Sequence, residues 1–231
     1  MSRPLFLVET LDTAVLDGPE GRHAADVMRL RVGEELLLGD GRGGVASAVV
    51  RAVGRGRLDL ALTDRWYAEP PAPRLVIAQG IAKGDRGELA VQAMTEVGVD
   101  EIVPWTAARS VARWKDDRPL ERWRAVAREA AKQARRPWLP TVSPPSSTGA
   151  LAPRVTFVLH EEATARLSTV SLPPGDELVL AVGPEGGVAP EELSAFEAAG
   201  AVPVRLGDTV LRTSTAGVAA LAILSARLGR W

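Results

Sequence analysis

Over the first 68 residues, hydrophobic positions alternate with polar ones in short segments that are separated by glycine-rich turns. Alternation with a period of two predicts β-strands that bury one face. We expect strands at residues 5–10, 34–40, 45–53 and 57–64, and one short helix at 21–30. Short strands around glycine-rich turns indicate a small β-barrel over residues 1–68.

The pattern changes after residues 69–73, a segment with three prolines that is typical of a stiff linker. From residue 74 onward, continuous apolar runs alternate with segments of helical periodicity, which predicts a parallel sheet covered by helices. The predicted strands lie at 74–80, 99–105, 154–160, 177–183 and 201–207, and the predicted helices at 85–98, 118–136, 189–200 and 212–229. The chain is therefore predicted to be an α/β protein with domains at 1–68 and 74–231.

Composition narrows the possible chemistry. The 231 residues include no cysteine, so disulfides and thiolate metal sites are excluded, and two histidines, His23 and His160, are too few for a histidine-rich metal cluster. The opening "MSRPLFLVET" lacks the features of a signal peptide, and no apolar run is long enough for a membrane span. We expect a cytoplasmic protein that binds no metal and no membrane.

Positive charge is concentrated in one segment, although the net charge of the whole chain is −1. Residues 103–140 contain ten Lys or Arg against four Asp or Glu, together with four of the six tryptophans. A basic segment of this kind predicts a polyanionic partner such as RNA. Trp105, Trp114 and Trp138 could stack on bases, but burial in a core is the commoner fate of tryptophan.

The helix predicted at 118–136 carries a basic stripe. At about 100° per residue, Arg124, Arg128, Lys132 and Arg135 lie nearly opposite the apolar side that begins at Trp123. A solvated helix face is the ordinary interpretation of such a stripe. No acidic residue interrupts the stripe, which favours contact with phosphates.

The segment "AVGPEGGVAPEEL" places Gly183-Pro184-Glu185-Gly186-Gly187 between a predicted strand and a predicted helix. The chain has no Lys-Ser or Lys-Thr pair, as a Walker-type phosphate loop requires, and no G-x-G-x-x-G fingerprint here. Glu185 would also repel phosphate. The turn either connects two elements or holds an uncharged or cationic ligand through its backbone.

Two further turns favour the ligand. "LHEEATA" follows the strand that ends at His160, and "LGDTVLRTSTA" follows the strand that ends near Leu206. Three turns thus lie at the carboxyl ends of three strands, where open α/β sheets bind their ligands.

Together these turns resemble the cofactor loops of the SPOUT methyltransferase superfamily, and within it the RsmE-type family of small-subunit (16S) ribosomal RNA uridine-N3 methyltransferases. "AKGDRGELAVQAMTEVGVDEIVPW", "RSVARW" and "MRLRVGEELLLGDGRGG" resemble further parts of that family. The resemblance implies a PUA-like N-terminal β-barrel at 1–68, a linker at 69–73, and a SPOUT domain at 74–231 with a parallel sheet and a deep trefoil knot. It also implies S-adenosylmethionine as cofactor, a sulfonium that needs no lysine.

The resemblance assigns site residues, each carried over to a matching position. The cofactor residues are Leu159, His160, Glu161, Gly183, Pro184, Glu185, Gly186, Gly187, Leu206, Gly207, Val210, Leu211, Arg212, Thr215 and Ala216. Arg212 is expected to position or stabilise the base as the catalytic residue. Glu185 is either a general base or a cap for the helix that starts near Pro190.

The implied partners are 16S ribosomal RNA or the small ribosomal subunit, and a second copy of the chain in a homodimer. The residues expected to contact RNA are Arg29, Arg109, Arg113, Arg124, Arg128, Lys132, Arg135 and Arg136. The chain departs from the family pattern at Ser214, where relatives often have glutamate, and at Ala108, where they often have an acid. Roles of those acids do not transfer here.

Two other functions stay open at this stage. One is ribose 2′-O-methylation by another member of the same superfamily, and the other is a ribosome-assembly protein that binds RNA without catalysis. The intact cofactor loops distinguish the second, because they predict measurable binding of S-adenosylmethionine.

Overall fold

The structure, a computed structural model that describes residues 3–231, divides into two compact units. Within the described residues, the first unit comprises 3–70 and 131–139, and the second comprises 71–130 and 140–231. Residues 131–139 lie far along the chain from the rest of the first unit. The hydrophobic pattern did not predict that they belong to it. The predicted linker at 69–73 stays a prediction.

The first unit is built on a five-stranded sheet that curls as a half-barrel. Its elements are β1 (Leu5–Leu7), β2 (Val15–Leu16), α1 (Gly18–Arg22), a π-helical turn (His23–Val27), β3 (Glu35–Gly39), β4 (Gly44–Gly54) and β5 (Arg57–Tyr67). The strand order is β1-β3-β4-β5-β2, and β1 pairs with β3 in parallel while the other pairs are antiparallel. Phe6, Leu36, Leu38 and Leu58 are buried in its core.

The helix predicted at 21–30 begins earlier, at Gly18, and continues after Arg22 as the π-helical turn. Pro19 lies in the first turn of α1, where its missing N–H costs no hydrogen bond. A Cβ on Gly21 would lie 2.5 Å from the carbonyl oxygen of Gly56, so the helix packs directly on the turn between β4 and β5. That close packing depends on a contact 35 positions away and was not visible in the hydrophobic pattern.

The second unit alternates strands and helices as predicted. Its elements are β6 (Arg74–Gly80), α2 (Arg86–Glu96), β7 (Glu101–Trp105), β8 (Thr141–Val142), α4 (Thr148–Leu151), β9 (Phe157–Leu159), β10 (Glu177–Val182), α5 (Pro190–Ala198), β11 (Val202–Val204) and α6 (Thr213–Arg227). Helix α3 (Arg118–Gln133) precedes β8. The two-residue strand β8 and the one-turn helix α4 were not predicted, because neither is long enough to show a period.

All six strands of this sheet are parallel, in the order β11-β9-β10-β6-β7-β8. Leu75 and Ile77 of β6 pack on one face with α2, α3 and α6, and Val76 and Ala78 pack on the other face with α4 and α5. Burial of both faces explains the continuous apolar runs. The predicted α/β class is confirmed; the trefoil knot stays a prediction.

Helix α3 ends three residues earlier than predicted. Arg135 adopts a left-handed backbone with φ of 53°, and the N–H groups of Arg135 and Arg136 bond to the carbonyls of Lys132 and Ala131. This geometry closes the last turn of a helix. Arg135 and Arg136 therefore follow the helix instead of extending its stripe.

A buried carboxylate links the amino-terminal ends of the strands. Glu101 of β7 accepts hydrogen bonds from Arg154 (3.1 Å), Arg74 (3.1 Å) and Ser143 (2.7 Å). Burial alone would raise the pKa of the Glu101 carboxyl, but the hydrogen bonds from Arg154 and Ser143 and the charges of Arg154 and Arg74 outweigh burial and lower the pKa. The folded state therefore favours the ionised form.

We expect Glu101→Gln to lower the free energy of unfolding by about 2 kcal/mol at pH 7, because it removes a charge that two arginines neutralise. A carboxyl whose pKa is lowered by folding stabilises the protein above its unfolded pKa, and this contribution is lost as the pH falls through the folded pKa. The difference in the free energy of unfolding between the two proteins should thus shrink as the pH falls below the ordinary glutamate pKa of about 4.3 and through the lower pKa of folded Glu101. Urea unfolding at a series of pH values from neutral to acidic measures it, with exposed Glu96→Gln as control. A difference that is constant with pH would contradict the prediction.

Candidate active site

A cavity of about 730 Å³ opens in the second unit where β9, β10 and β11 end. This size lies within the range of about 300–1,000 Å³ that is usual for small-molecule sites. It is lined by every predicted cofactor residue except Thr215, namely Leu159, His160, Glu161, Gly183, Pro184, Glu185, Gly186, Gly187, Leu206, Gly207, Val210, Leu211, Arg212 and Ala216. The fold therefore brings the three predicted loops together, as the strand-end argument requires.

Thr215 lies outside this lining. Its side chain is in the first turn of α6, and its hydroxyl donates to the carbonyl of Arg212 at 3.1 Å. Thr215 is thus the one predicted cofactor residue that does not line the cavity, and its contact with the cofactor stays a prediction.

The GPEGG turn is packed against the end of β6. A Cβ on Gly80 would lie 2.5 Å from the backbone nitrogen of Pro184 and 2.9 Å from the carbonyl carbon of Gly183. Only glycine permits this approach of two backbones. Within the turn, the Gly187 N–H bonds to the Pro184 carbonyl at 2.9 Å, and Gly187 has a φ of 73° that favours glycine.

A buried polar bridge connects the same turn to the start of α6. The amide of Gln79 donates to the hydroxyl of Thr213 at 2.9 Å, and that hydroxyl donates to the carbonyl of Gly183 at 2.8 Å. Gln79 is fully buried, and Thr213 is 7% exposed. Hydrogen bonds that are shielded from water hold these segments in register. Neither residue was predicted, because the sequence separates them by 134 positions.

Glu185 is held at one edge of the cavity. Its carboxylate accepts the Lys83 N–H at 2.9 Å and lies 3.6 Å from the guanidinium of Arg86. The carboxylate that bonds to the first turn of α5 is Glu192, whose Oε2 accepts the Ala189 N–H at 3.2 Å, so the predicted capping role of Glu185 is wrong. Arg86 lines the cavity and was missed by sequence reasoning.

Two arginines of the predicted set face the cavity. Arg109, expected to bind RNA, donates to the carbonyl of Gly186 at 3.1 Å and thus supports the cofactor loop. Arg212 precedes α6 and has an exposed side chain at the cavity wall. Nδ1 of His160 accepts a hydrogen bond from the backbone N–H of Glu162, with 3.3 Å between the two nitrogens.

The remaining predicted RNA contacts are divided between the units. Arg113, Arg124 and Arg128 are exposed in the second unit; Arg29, Lys132, Arg135 and Arg136 belong to the first. Lys132 is 10% exposed at its side chain and lies 2.9 Å from Glu20, so its charge is neutralised inside the protein. Its place on a free basic stripe was a misinterpretation, because Glu20 is distant in sequence. Arg29, with φ of 56°, has a left-handed backbone like Arg135.

The three tryptophans that could have stacked on bases all contact protein. Trp105 is fully buried and packs edge-to-face on Phe196 at 5.3 Å, and Trp114 packs on Trp123 at 5.0 Å. Trp138 donates to the carbonyl of Ala68 at 2.8 Å. The core interpretation is confirmed for Trp105.

Comparison with protein families decides the class. A family described as an RNA methyltransferase domain matches residues 68–225, and a family described as an RNA methyltransferase PUA domain matches residues 16–63. The chain belongs to the RNA methyltransferase family. The predicted PUA-like character of the N-terminal part is confirmed by the second match.

Individual relatives agree with this family. The chain is 48% identical to ribosomal RNA small subunit methyltransferase E of Mycobacterium bovis, over 98% of this chain and 93% of the relative. Its fold is similar to that of the enzyme of the same name from Neisseria gonorrhoeae bound to S-adenosyl methionine, with 26% identity, a TM-score of 0.87 and 98% of each chain covered. A methyltransferase from Legionella pneumophila, solved with SAM, has 26% identity, a TM-score of 0.83 and 97% coverage of both chains. The predicted RsmE-type resemblance is confirmed.

Within residues 3–231, no group of three or more histidine, aspartate or glutamate side chains could hold a metal ion. Of the helices described, none combines the length and the apolar character that crossing a membrane would require.

Proposed function

We propose that this RNA methyltransferase transfers a methyl group from S-adenosylmethionine to N3 of a uridine in 16S ribosomal RNA. The observation that carries the proposal is the convergence of the three strand-end loops on one cavity in a chain of this family. The names of its relatives and the SAM-bound neighbours support the substrate and the cofactor.

The residues around the cavity fit a sulfonium ligand. When bound, S-adenosylmethionine supplies an electrophilic methyl group and carries no phosphate, so the absence of lysine from the cavity lining among the described residues is no obstacle. Gly183 to Gly187 present backbone groups, and Glu161 and Glu185 place carboxylates at the wall. We propose that the predicted cofactor residues other than Thr215 contact this ligand.

Methylation at N3 requires that the uracil loses the N3 proton and that the negative charge which develops on the base is stabilised. We propose that Arg212 supplies this stabilisation, because its exposed guanidinium lies at the wall of the cavity. Glu185 remains a candidate proton acceptor. Its neighbour Arg86 holds the carboxylate in place from 3.6 Å.

We propose that RNA is bound by arginines of each unit: exposed Arg29 and Arg135 with half-buried Arg136 in the first, and exposed Arg113, Arg124 and Arg128 in the second. Residues 1–68 would act as the RNA-binding domain and 74–231 as the catalytic domain. Lys132 is left out because its side chain is only 10% exposed and lies against Glu20. We also propose that the protein is cytoplasmic, because its proposed substrate, ribosomal RNA, is found there.

A homodimer is also proposed. One face of α6 is buried in the core of the second unit through residues such as Ala220 and Leu224, whereas Ala219 and Ala222 on its other face are partly exposed. An apolar face of this kind is suited to a second copy of the chain. Light scattering on the purified protein should give twice the mass of one chain.

The decisive experiment joins binding to product analysis. Calorimetry of the protein with S-adenosylmethionine should show binding, and small ribosomal subunits treated with both should contain 3-methyluridine by mass spectrometry of the digested RNA. The appearance of 2′-O-methyl nucleosides alone would favour the other superfamily activity. Absence of cofactor binding would favour the non-catalytic RNA-binding protein.

The left-handed backbone of Arg135 allows its contribution to RNA binding to be measured apart from its effect on stability. A non-glycine residue in the left-handed region costs about 1 kcal/mol, so Arg135→Gly should raise the free energy of unfolding by about that amount. The same change should weaken RNA binding and lower its salt dependence by about one counterion. Filter binding at several salt concentrations and urea unfolding measure both.

The control is Arg135→Ala, which removes the charge and keeps the backbone strain. It should weaken RNA binding as much as Arg135→Gly does, without the gain in stability. Unchanged RNA affinity in both variants would remove Arg135 from the proposed interface.

A further inference from the structure

Glu192 lies behind the cavity, and its carboxylate joins two loops. It is 7% exposed and belongs to the first turn of α5. Oε2 accepts the N–H of Ala189 at 3.2 Å, as in an ordinary capping interaction. Oε1 accepts the N–H of Ala108 at 2.8 Å, from the loop that follows β7. A capping glutamate on a surface helix has no second partner of this kind.

A hydrogen-bonded relay fixes the direction of these contacts. The indole N–H of Trp105 donates to the hydroxyl of Thr148 at 3.0 Å, so the hydroxyl proton is directed to Oε1 of Glu192, 2.7 Å away. Every group that faces the carboxylate is therefore a donor. Such a site suits a side chain with an acceptor oxygen on each side.

The loop that Glu192 holds is in contact with the GPEGG turn. Arg109, next to Ala108, donates its guanidinium N–H to the carbonyl of Gly186 at 3.1 Å. A Cβ on Gly186 would lie 3.0 Å from the Cβ of Arg109 and 3.2 Å from its carbonyl oxygen. The backbone of Arg109 and the GPEGG turn thus pack tightly, and displacement of Ala108 would move Gly186.

We infer that Glu192 is a positioning residue for methyl transfer, which sets the shape of the cofactor loop by tying the loop after β7 to the start of α5. It acts on the turn at two points. Ala189 lies two residues after the turn, and Ala108 supports Gly186 through Arg109. The inference rests on the proposed function for its catalytic consequence, but the tether itself is a property of the ligand-free protein.

Glu192→Gln tests the tether with little change of volume. In either orientation of the new amide, its NH₂ faces a backbone N–H, either that of Ala108 or that of Ala189, so one bond is replaced by a contact between two donors. We expect the dissociation constant for S-adenosylmethionine to rise about tenfold, the loss expected for one hydrogen bond to a charged group. The KM for the cofactor should rise while its kcat changes less.

Two controls accompany this variant. Glu191→Gln removes an exposed carboxylate from the same helix and should bind the cofactor like the wild type. Thr148→Val removes the hydroxyl that donates to Glu192, and Thr148→Ser should restore it. An equal loss of affinity in Glu191→Gln would overturn the inference, because it would trace the effect to helix charge. Should Glu192→Gln fail to fold, Glu192→Asp decides, because its side chain is one methylene too short to hold both backbone N–H groups, and wild-type affinity in that variant then refutes the tether.

A double-mutant cycle with Arg109→Ala tests whether Glu192 affects cofactor binding through Arg109. Residues that act through one contact show non-additive losses. The double variant should therefore bind the cofactor about as weakly as the weaker single variant. Losses that multiply would show that Glu192 acts elsewhere and would refute the route through Arg109.

Hydrogen exchange on the ligand-free protein tests the tether without the cofactor. At least one of the peptides that cover residues 106–110 and 183–189 should exchange faster in Glu192→Gln than in the wild type, since the new amide leaves either the Ala108 or the Ala189 N–H without its buried partner. Equal exchange would overturn the inference whatever the cofactor does. Failure of the wild type to bind S-adenosylmethionine would instead refute the proposed function, and the exchange data would still decide the role of Glu192.

Discussion

Replacing Gly80 with alanine is expected to weaken the binding of S-adenosylmethionine by about 100-fold or more. The new Cβ would lie 2.5 Å from the backbone nitrogen of Pro184 and 2.9 Å from the carbonyl carbon of Gly183. Both are backbone atoms, so no flexible side chain can move aside. The GPEGG turn must therefore shift by about 1 Å, which misplaces the backbone groups proposed to hold the cofactor. Calorimetry measures the affinity, and thermal unfolding establishes that the variant is folded.

Gly149→Ala is the matched control, because it adds the same methyl group where no atom lies within 4 Å. In the short helix α4 this change should leave cofactor affinity unaltered and increase stability slightly. If Gly80→Ala binds the cofactor as tightly as Gly149→Ala does, the GPEGG turn is not the cofactor loop.

Replacing Arg212 with alanine is expected to lower kcat by about 100- to 1,000-fold, the usual loss on removing a group that stabilises charge in the transition state. Cofactor affinity should change much less, because the loop contacts that we propose for Arg212 come from its backbone. Single-turnover methylation of small ribosomal subunits, with calorimetry in parallel, separates the two effects. Arg212→Lys should recover a part of the rate because it retains the charge but not the planar geometry.

Arg118→Ala provides the comparison for charge alone. Its side chain is 90% exposed and pairs with Asp116 on the surface, outside the cavity lining. We expect its kcat to equal that of the wild type. A loss of cofactor binding in Arg212→Ala as large as the loss of kcat would assign Arg212 to cofactor binding and remove it from the chemical step.

The strands of the second unit other than β8 could be predicted, because burial on both faces produces apolar runs that can be recognised in the sequence alone. Residues 74–80 were predicted as a strand and form β6 with the same bounds. The site could be predicted only in part. The three loops were found from glycine-rich turns at strand ends and from the family resemblance, and both signals are local in the sequence.

Three further features were missed because they depend on contacts between distant residues. In the sequence, Gly80 is only a glycine at the end of a predicted strand, and nothing there shows that Pro184 packs against it. Glu192 has the spacing of a capping residue, and its second bond to Ala108 lies 84 positions away. Lys132 fits a basic stripe until Glu20 is found beside it. Hydrophobic periods describe one element at a time and contain no information on such pairs.

The bridge from Gln79 through Thr213 to Gly183 has a consequence for how the enzyme matures. Its partners are separated by 134 positions, so a growing polypeptide lacks a finished donor pocket until residues beyond 213 have emerged and folded onto β6. Closing so long a loop is entropically costly and slow. Any ligand of the completed pocket then acts as a folding ligand, which at 100 times its Kd adds about 2.7 kcal/mol to the stability of the second unit.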